Sequence, residues 1–313
     1  GAGGAGADGQ GGASRVIQLS VVIVNWNTRE MLAGCLASVY ETAGNLEMEV
    51  FVVDNASTDG SAAMVRARFP QVRLIENGEN VGFARANNQA IRMSSGRHIL
   101  LLNSDTAVHR GSLQELTGFL DEESRVAVVG CRLLRPDGSL QHYPTSTHSL
   151  YRSLVILWHL WGYESLMRGA VESSRPRDVE RVNGACMAVR RSAIDEVGLM
   201  DEELFLYAEE DDWCLRFLEN GWRIVFLPSA QITHYGAAST GQVSTHSRVH
   251  LYRSRTLFLK RHYGRGRAWI FKLAVGITYV GKLMWTGLSA MVRRESLDSA
   301  QPYTALLRAL PGF

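Results

Sequence analysis

Short apolar runs recur along the first third of the chain with helix-length amphipathic segments between them, and this alternation restricts the fold more than any other feature. The runs are Ile17–Val24 (IQLSVVIV), Met48–Val53 (MEVFVV), Val72–Ile75 and His98–Leu102 (HILLL), starting at intervals of 24–31 residues. Between them lie Arg29–Tyr40, Ser61–Phe69 and Phe83–Met93. A parallel strand pair needs a crossover of a dozen or more residues, usually a helix, so this spacing predicts β-α-β units and an α/β fold built on a parallel sheet. Apolar runs of this length also suit buried helix, but their β-branched content and the turn residues that follow favour strand.

Each run but the third ends in small polar residues: Asn25-Trp26-Asn27, Asp54-Asn55-Ala56-Ser57 and Asn103-Ser104-Asp105. In open α/β sheets, ligands bind at the carboxyl ends of strands near the switch in strand order. Three polar clusters at three such ends therefore predict one shared crevice. Beyond Gly130 the regularity fades. Leu150–Arg168 is an aromatic-rich apolar segment, Val182–Arg190 reads as a strand, and Glu209–Glu219 as a helix stopped by Asn220-Gly221. Trp222–Leu227 reads as a last strand closed by Pro228.

Composition removes several alternatives. With 46% hydrophobic and 20% charged residues in 313, the chain is neither disordered, collagen-like nor a polytopic membrane protein. Cys35, Cys131, Cys186 and Cys214 are dispersed, which argues against a disulfide framework or zinc site and for a reducing, cytoplasmic setting. Residues 1–15 are glycine-rich and read as a disordered leader. The G-x-G-x-x-G match at Gly1, Gly3 and Gly6 has no strand before it and is no dinucleotide fingerprint. Charge is uneven: residues 1–219 carry 20 basic and 29 acidic side chains, residues 220–313 carry 13 and 2. A basic stretch of this length attracts nucleic acid, phospholipid headgroups or a pyrophosphate, or serves solubility alone.

Three segments can carry chemistry. Asp54 can accept from a base N–H or a ribose hydroxyl, or simply belong to the turn that caps the next helix. Asp105 in NSDT is placed to hold Mg²⁺ or Mn²⁺, ions that take few protein carboxylates and leave positions for phosphates. In Glu209-Glu210-Asp211-Asp212, four carboxylates repel one another at a helix start whose dipole offsets part of the repulsion. One of them can act as a general base; charge decoration of a helix terminus is the alternative.

Together these segments resemble the family 2 glycosyltransferases with a GT-A fold, in particular a rhamnosyltransferase-like branch. The resemblance runs from about Leu19 to Gly264 and rests on VVIVNWN (21–27), VVDNASTDGS (52–61), ENVGFARANNQAI (79–91), LLLNSDT (100–106), NGACMAVRRSAIDEVGLMDEELFLYAEEDDWCLR (183–216) and NGWRIVFLPSAQITHYGAAST (220–240). It implies a Rossmann-like, nucleotide-binding mixed sheet flanked by helices over residues 16–264, with a nucleotide-sugar half (16–130) and an acceptor half (131–264). Asn25, Asn27, Asp54, Asn55, Asn80, Gly82, Asn87, Asn88, Asn103, Ser104 and Asp105 would hold the donor, with Gly82 letting backbone approach the ligand. Asp105 matches the last Asp of the family's D-x-D motif, whose first position is Asn103 here, and His234 would add a metal or pyrophosphate contact. Glu210 falls on the base position, with Glu209 the runner-up. Gly184, Tyr207, Asp212 and Trp213 would face the acceptor. The implied reaction is inverting, metal-dependent transfer from a dTDP- or UDP-linked sugar, plausibly L-rhamnose, to a lipid-linked glycan.

Residues 265–313 read as a basic, amphipathic helical tail. Trp269–Val292 holds 16 apolar residues in 24, but its uncharged stretches of nine and ten residues are too short to span a bilayer. On a helical wheel, Lys272, Tyr279, Lys282, Thr286, Ser289 and Arg293 share an arc of about 100°. This predicts a helix lying on an anionic membrane, which would place the chain on the inner face of the cell membrane; packing on the catalytic domain or a second subunit as a homodimer is the alternative. A sugar nucleotidyltransferase would want a basic glycine-rich loop after the first strand, where Asn25-Trp26-Asn27 stands. A non-catalytic scaffold binding membrane or nucleic acid would explain the tail but not the carboxylates, and no nucleic-acid partner is expected.

Overall fold

The computed structural model describes residues 16–143, 145–146, 149–160, 163–236, 244–293 and 301–313; the glycine-rich leader lies outside them. The first four runs are strands β1 (Leu19–Asn25), β2 (Met48–Asp54), β3 (Arg73–Glu76) and β4 (His98–Asn103), all parallel, with helices α1 (Arg29–Thr42), α2 (Ser61–Arg68) and α3 (Phe83–Met93) between them. Then come β5 (Thr106–Val108), α4 (Ser112–Glu122), β6 (Val126–Leu134), α5 (Leu150–Trp158), α6 (Tyr163–Arg168), β7 (Arg177–Asp178), β8 (Cys186–Arg190), α7 (Arg191–Val197), α8 (Glu209–Glu219) and β9 (Arg223–His234). Three helices follow: α9 (Ser244–Tyr263), α10 (Arg265–Arg293) and α11 (Gln301–Ala309).

The strands form one mixed sheet in the order β3-β2-β1-β4-β8-β6-β9-β5, with β7 paired to β9. From β1 the chain winds outward to β3, then returns across β1 to β4. The switch point therefore lies between β1 and β4. Strand β8 runs antiparallel to β4, so its amino end meets the carboxyl end of β4.

Alternation along β1 explains the layering. Val21 and Ile23 face a core closed by α1, α2 and α4, while Val22 faces one closed by α3, α7 and α8. Both faces are covered, which is why these strands read as unbroken apolar runs. A third cluster joins Phe258 and Leu259 of α9, Phe271 and Val275 of α10 and Leu306 of α11 to Ala208, so the C-terminal helices pack on the sheet domain beside the start of α8. All four cysteines are buried and free, and burial pushes the Cys35 thiol up to about 12.

Two boundaries differ from the sequence expectation. The last strand does not close at Pro228 but continues to His234. Opposite Cys131 and Arg132 its register jumps from Leu227 to Gln231, a bulge that accommodates a proline with no N–H to give the ladder. The other strand begins at Cys186 rather than Val182, because Asn183 folds a turn with Ala185 N donating to its Oδ1 (2.9 Å) and Cys186 N to its carbonyl (3.2 Å). Both differences bring polar residues to the switch-point end of the sheet.

Candidate active site

A cavity of about 520 Å³ opens at that end, within the size range of small-molecule sites. Beneath it the strand ends are tied by side chains. Asn25 Nδ2 donates to Asp54 Oδ1 (2.8 Å) and Ser57 Oγ (3.0 Å), Thr28 Oγ1 donates to Asn25 Oδ1 (2.7 Å), and Thr28 and Ser104 hydroxyls meet at 2.8 Å. Asn27, at φ 53, accepts from Thr58 N through Oδ1 and donates its own N–H to Ser57. Asp54 Oδ2 accepts from Ser57 N (2.9 Å).

The three polar clusters thus converge, but in two layers. Asn55, Asn103, Ser104 and Asp105 line the cavity; Asn25, Asn27 and Asp54 do not, and Asp54 is only 3% exposed. Asp54, expected to grip the donor, lies in the layer beneath, its Oδ1 accepting from Asn25 and its Oδ2 from Ser57. Asn87 and Asn88, expected beside the donor, are also buried and are not among the cavity-lining residues. Asn87 Nδ2 donates to Phe83 O, and Asn88 is fully buried, exchanging hydrogen bonds with the Met200 backbone and donating to Glu202. Asn80 and Gly82 do line the cavity. The close approach that Gly82 permits is not of ligand: a Cβ there would stand 2.6 Å from Phe205 O, which accepts from Phe83 N.

The opposite wall comes from the loop before α8. Tyr207 and Ala208 are consecutive non-glycine residues in the left-handed region, φ 67 and 66. Each costs about 1–2 kcal/mol, offset by their anchoring: Ser254 Oγ donates to Leu206 O and Asp212 N to Ala208 O. The turn puts Tyr207 on the cavity and starts α8 with Glu209 and Glu210 lining it. Gly184, from the turn before β8, sits beside the Glu210 carboxyl. Asp212 and Trp213, expected to meet the acceptor, lie outside the cavity lining. Asp212 pairs with Arg216 and His262, and Trp213 is fully buried with Nε1 donating to Gly198 O, because these positions point back into the core one turn along α8.

The carboxylates are held by two buried arginines. Arg181 contacts Glu210 Oε1 (2.6 Å) and Asp211 Oδ1 (2.5 Å), and Arg255 of α9 contacts Asp211 Oδ2 (3.0 Å) and Ser153 Oγ. Burial pushes Glu210 above the ordinary glutamate range, with Arg181 pulling the other way. Burial and then Glu210 push Glu209 well above it, with Arg181 opposing them more weakly. Both carboxyls are raised, Glu209 further than Glu210, so Glu209 holds its proton the longer of the two. Glu210 Oε2 is buried and makes no hydrogen bond among the described residues. Arg181, Phe205, Ser247 and His250 escaped sequence reading, since remote segments supply them. Trp26 also lines the cavity, from the bend that follows β1.

A family model described as Glycosyl transferase family 2 matches residues 20–198, more than half of the chain. The chain belongs to that family. This glycosyltransferase is 31% identical to the N-acetylglucosaminyl-diphospho-decaprenol L-rhamnosyltransferase of Mycobacterium tuberculosis, over 80% of its own length and 87% of the relative's. It is 27% identical to the dTDP-rhamnosyl transferase RfbF of Shigella flexneri, over 59% of each chain. Among solved structures, the mannosyltransferase PcManGT from Pyrobaculum calidifontis in complex with GDP-Man and Mn²⁺ superposes with a TM-score of 0.52 at 17% identity, covering 94% of this chain and 85% of that one. At that identity the likeness speaks for the fold, which is the GT-A architecture.

The family's use of divalent cations can be tested against the donor set of this glycosyltransferase. His234 Nε2 lies 3.4 Å from Asp105 Oδ1, near the ~3 Å that separates adjacent ligands of one ion bound at about 2.1 Å. His234 Nδ1 meets Gln141 Oε1 at 3.0 Å, a partner that turns Nε2 toward Asp105 as in histidine metal ligands. Among the described residues no group of three His, Cys, Asp or Glu could hold a metal. Two protein ligands, with diphosphate and water completing the shell, suit Mg²⁺ or Mn²⁺, so the residues fit.

Proposed function

We propose that this glycosyltransferase moves an L-rhamnosyl group, with inversion, from its dTDP donor to a lipid-linked diphosphate glycan. One observation carries the reading: Asp105, His234 and Glu210 line the same cavity, with Arg181 behind Glu210. The activities of the mycobacterial and Shigella relatives support rhamnose, dTDP and a lipid-linked acceptor, which would place the chain at the inner face of the membrane. Asn55, Asn80, Asn103 and Ser104 hold the donor by hydrogen bonds. Trp26, Phe83 and Phe205 supply the apolar walls that exclude water. Asp105 and His234 would hold Mg²⁺ or Mn²⁺, which offsets the charge gathering on the leaving diphosphate.

Glu210 supplies the base. Its Oε1 is fixed by Arg181, so Oε2 can take the proton of the acceptor hydroxyl. The hydroxyl oxygen forms a bond to the anomeric carbon as the bond from that carbon to the diphosphate oxygen breaks on the far face. The raised pKa brings the base nearer neutral pH, where proton transfer is most effective. Tyr207 and Gly184 border this end of the cavity and shape the acceptor's entry.

The test is transfer from dTDP-rhamnose to a short-chain N-acetylglucosaminyl diphospholipid. Glu210→Gln is expected to lower kcat at least ~100-fold while leaving dTDP-rhamnose affinity unchanged. Asp105→Asn is expected to raise the Mn²⁺ concentration required. Full activity in both variants would remove the assignment, and equal rates with UDP- and GDP-sugars would remove the choice of donor.

A further inference from the structure

Helix α10 is apolar on two opposite faces. Ala268, Phe271, Val275 and Tyr279 are buried against α9 and α11. Trp269, Leu273, Ile277, Val280, Met284 and Leu288 are 46–70% exposed and share an arc of about 100° on the other side. Trp285, 72% exposed, flanks them. The polar arc expected from the sequence is turned toward the protein. Lys272 Nζ donates to Pro311 O (3.0 Å), and Lys282 Nζ stands 5.0 Å over the Tyr279 ring. The outward stripe exposes roughly 1,000 Å², beyond the few hundred Å² that soluble monomers leave open.

We propose that this stripe docks on an anionic lipid bilayer, with α10 lying in the headgroup plane. Charge decides between the two surfaces that could cover it. Helix α10 itself carries Arg265, Arg267, Lys272, Lys282 and Arg293 and no Asp or Glu, whereas Arg223, Arg255 and Arg261 before it are already paired with acids. A second copy of the chain would bring like charges together, whereas anionic headgroups neutralise them. Trp269 and Trp285 stand about 24 Å apart along the helix at 1.5 Å per residue, where amphipathic rings anchor both ends at the interface. No helix among the described residues is long and apolar enough to cross a membrane, so the stripe lies on the bilayer rather than through it.

The docking surface is joined to the cavity. Gly264, at φ +86, turns α9 into α10, and the Tyr252 and Tyr279 hydroxyls meet at 3.2 Å, so α10 runs back along α9. Ser247 and His250 of α9 line the cavity, and His250 stacks on Phe205 with ring centroids 4.6 Å apart. Trp158 of α5, itself 42% exposed, donates to Thr278 Oγ1 and widens the surface. The membrane-facing helix thus leads to the rim where an acceptor enters. The surface does not depend on which sugar moves; only its use, presenting a lipid-linked acceptor without leaving the bilayer, rests on the proposed function.

The test is sedimentation of the full chain with vesicles of phosphatidylcholine alone or mixed equally with phosphatidylglycerol, in 0.05 and 0.5 M salt (on the order of the Debye lengths that separate strong from weak screening). The wild type is expected to sediment with the mixed vesicles at low salt, with a blue shift of tryptophan emission. The Leu273→Glu, Met284→Glu double variant should lower the partition coefficient at least tenfold. Both positions are exposed, so circular dichroism and dTDP-rhamnose binding should be unchanged. Unaltered vesicle binding in the double variant would overturn the proposal. So would a wild-type dimer by light scattering that the same changes convert to monomer while vesicle binding persists. Loss of docking with donor binding retained leaves the transferase reading standing; docking without any sugar transfer removes that reading and leaves the surface.

Discussion

Glu209 and Glu210 are neighbours raised to different extents, and the difference is one guanidinium. Arg181 touches Glu210 and not Glu209. Burial would suppress the charge on Arg181, but Asp211 and Glu210 more than restore it, so it remains a cation throughout the working range. Arg181 is a positioning residue. In Arg181→Met the burial of Glu210 is unopposed, its pKa rises further, and the acid limb of the kcat profile should move to higher pH, with KM for the donor little changed. A purely structural role would leave the limb in place. Glu209, raised in the folded state, contributes stability that is full below its unfolded pKa and lost as pH rises through the folded value. Glu209→Gln removes that loss. Thermal melts should show the variant more stable than wild type at pH 7 and equal to it below the ordinary glutamate range. At Gly82, alanine would meet Phe205 O at 2.6 Å in a backbone region costing ~1–2 kcal/mol for an L side chain. A lower Tm with weakened donor binding is expected.

Helix α8 is fixed at both ends of its first turn by α9. Arg255 reaches Asp211 and His262 reaches Asp212 (2.7 Å), while Arg261 pairs with Asp201 and Glu203 on the preceding loop. Asp212 stays ionised because His262 and Arg216 outweigh its burial. The strained turn at Tyr207 and Ala208 therefore persists only while α9 is docked. Replacing Arg255 with methionine leaves Asp211 one cation short in a buried setting, where breaking an ion pair costs ~3–5 kcal/mol. Urea denaturation should show a loss of that order, and kcat should fall because Glu209 and Glu210 lose their fixed start. Asn88→Ala acts from the other side, orphaning the Met200 backbone at a cost of about 1–3 kcal/mol.

At the scale of the molecule, the cavity draws on eight separated segments, so ligand binding should brace the whole fold. A ligand at a hundred times its Kd stabilises by ~2.7 kcal/mol, and for a domain of this size each kcal/mol moves Tm by roughly 2–4 °C. A Tm increase of about 5–10 °C with dTDP and Mn²⁺ together is expected on that basis, and chelation or Asp105→Asn should remove the metal-dependent part.

The parallel half of the sheet was legible in the sequence because its strands are buried on both faces, and apolar runs with helix-length spacing have few other solutions. The polar residues after β1, β2 and β4 were legible because they cluster where the apolar runs stop, while the buried polar side chains within these strands, Ser20, Glu49 and His98, sit at the opposite end. Which of them meet ligand was not. Asp54 and Asn55 differ by one position at a strand end, and only the turn through Ser57 decides which one braces the floor and which one faces the cavity. Six ordered motifs named the family, but pairing Arg181 with Glu210, or His234 with Asp105, needs chain segments tens of residues apart to be brought within hydrogen-bond reach. That proximity comes from the antiparallel entry of β8, the bulge at Pro228 and the docking of α9. These are long-range packing choices that leave no periodic trace in the residues that make them.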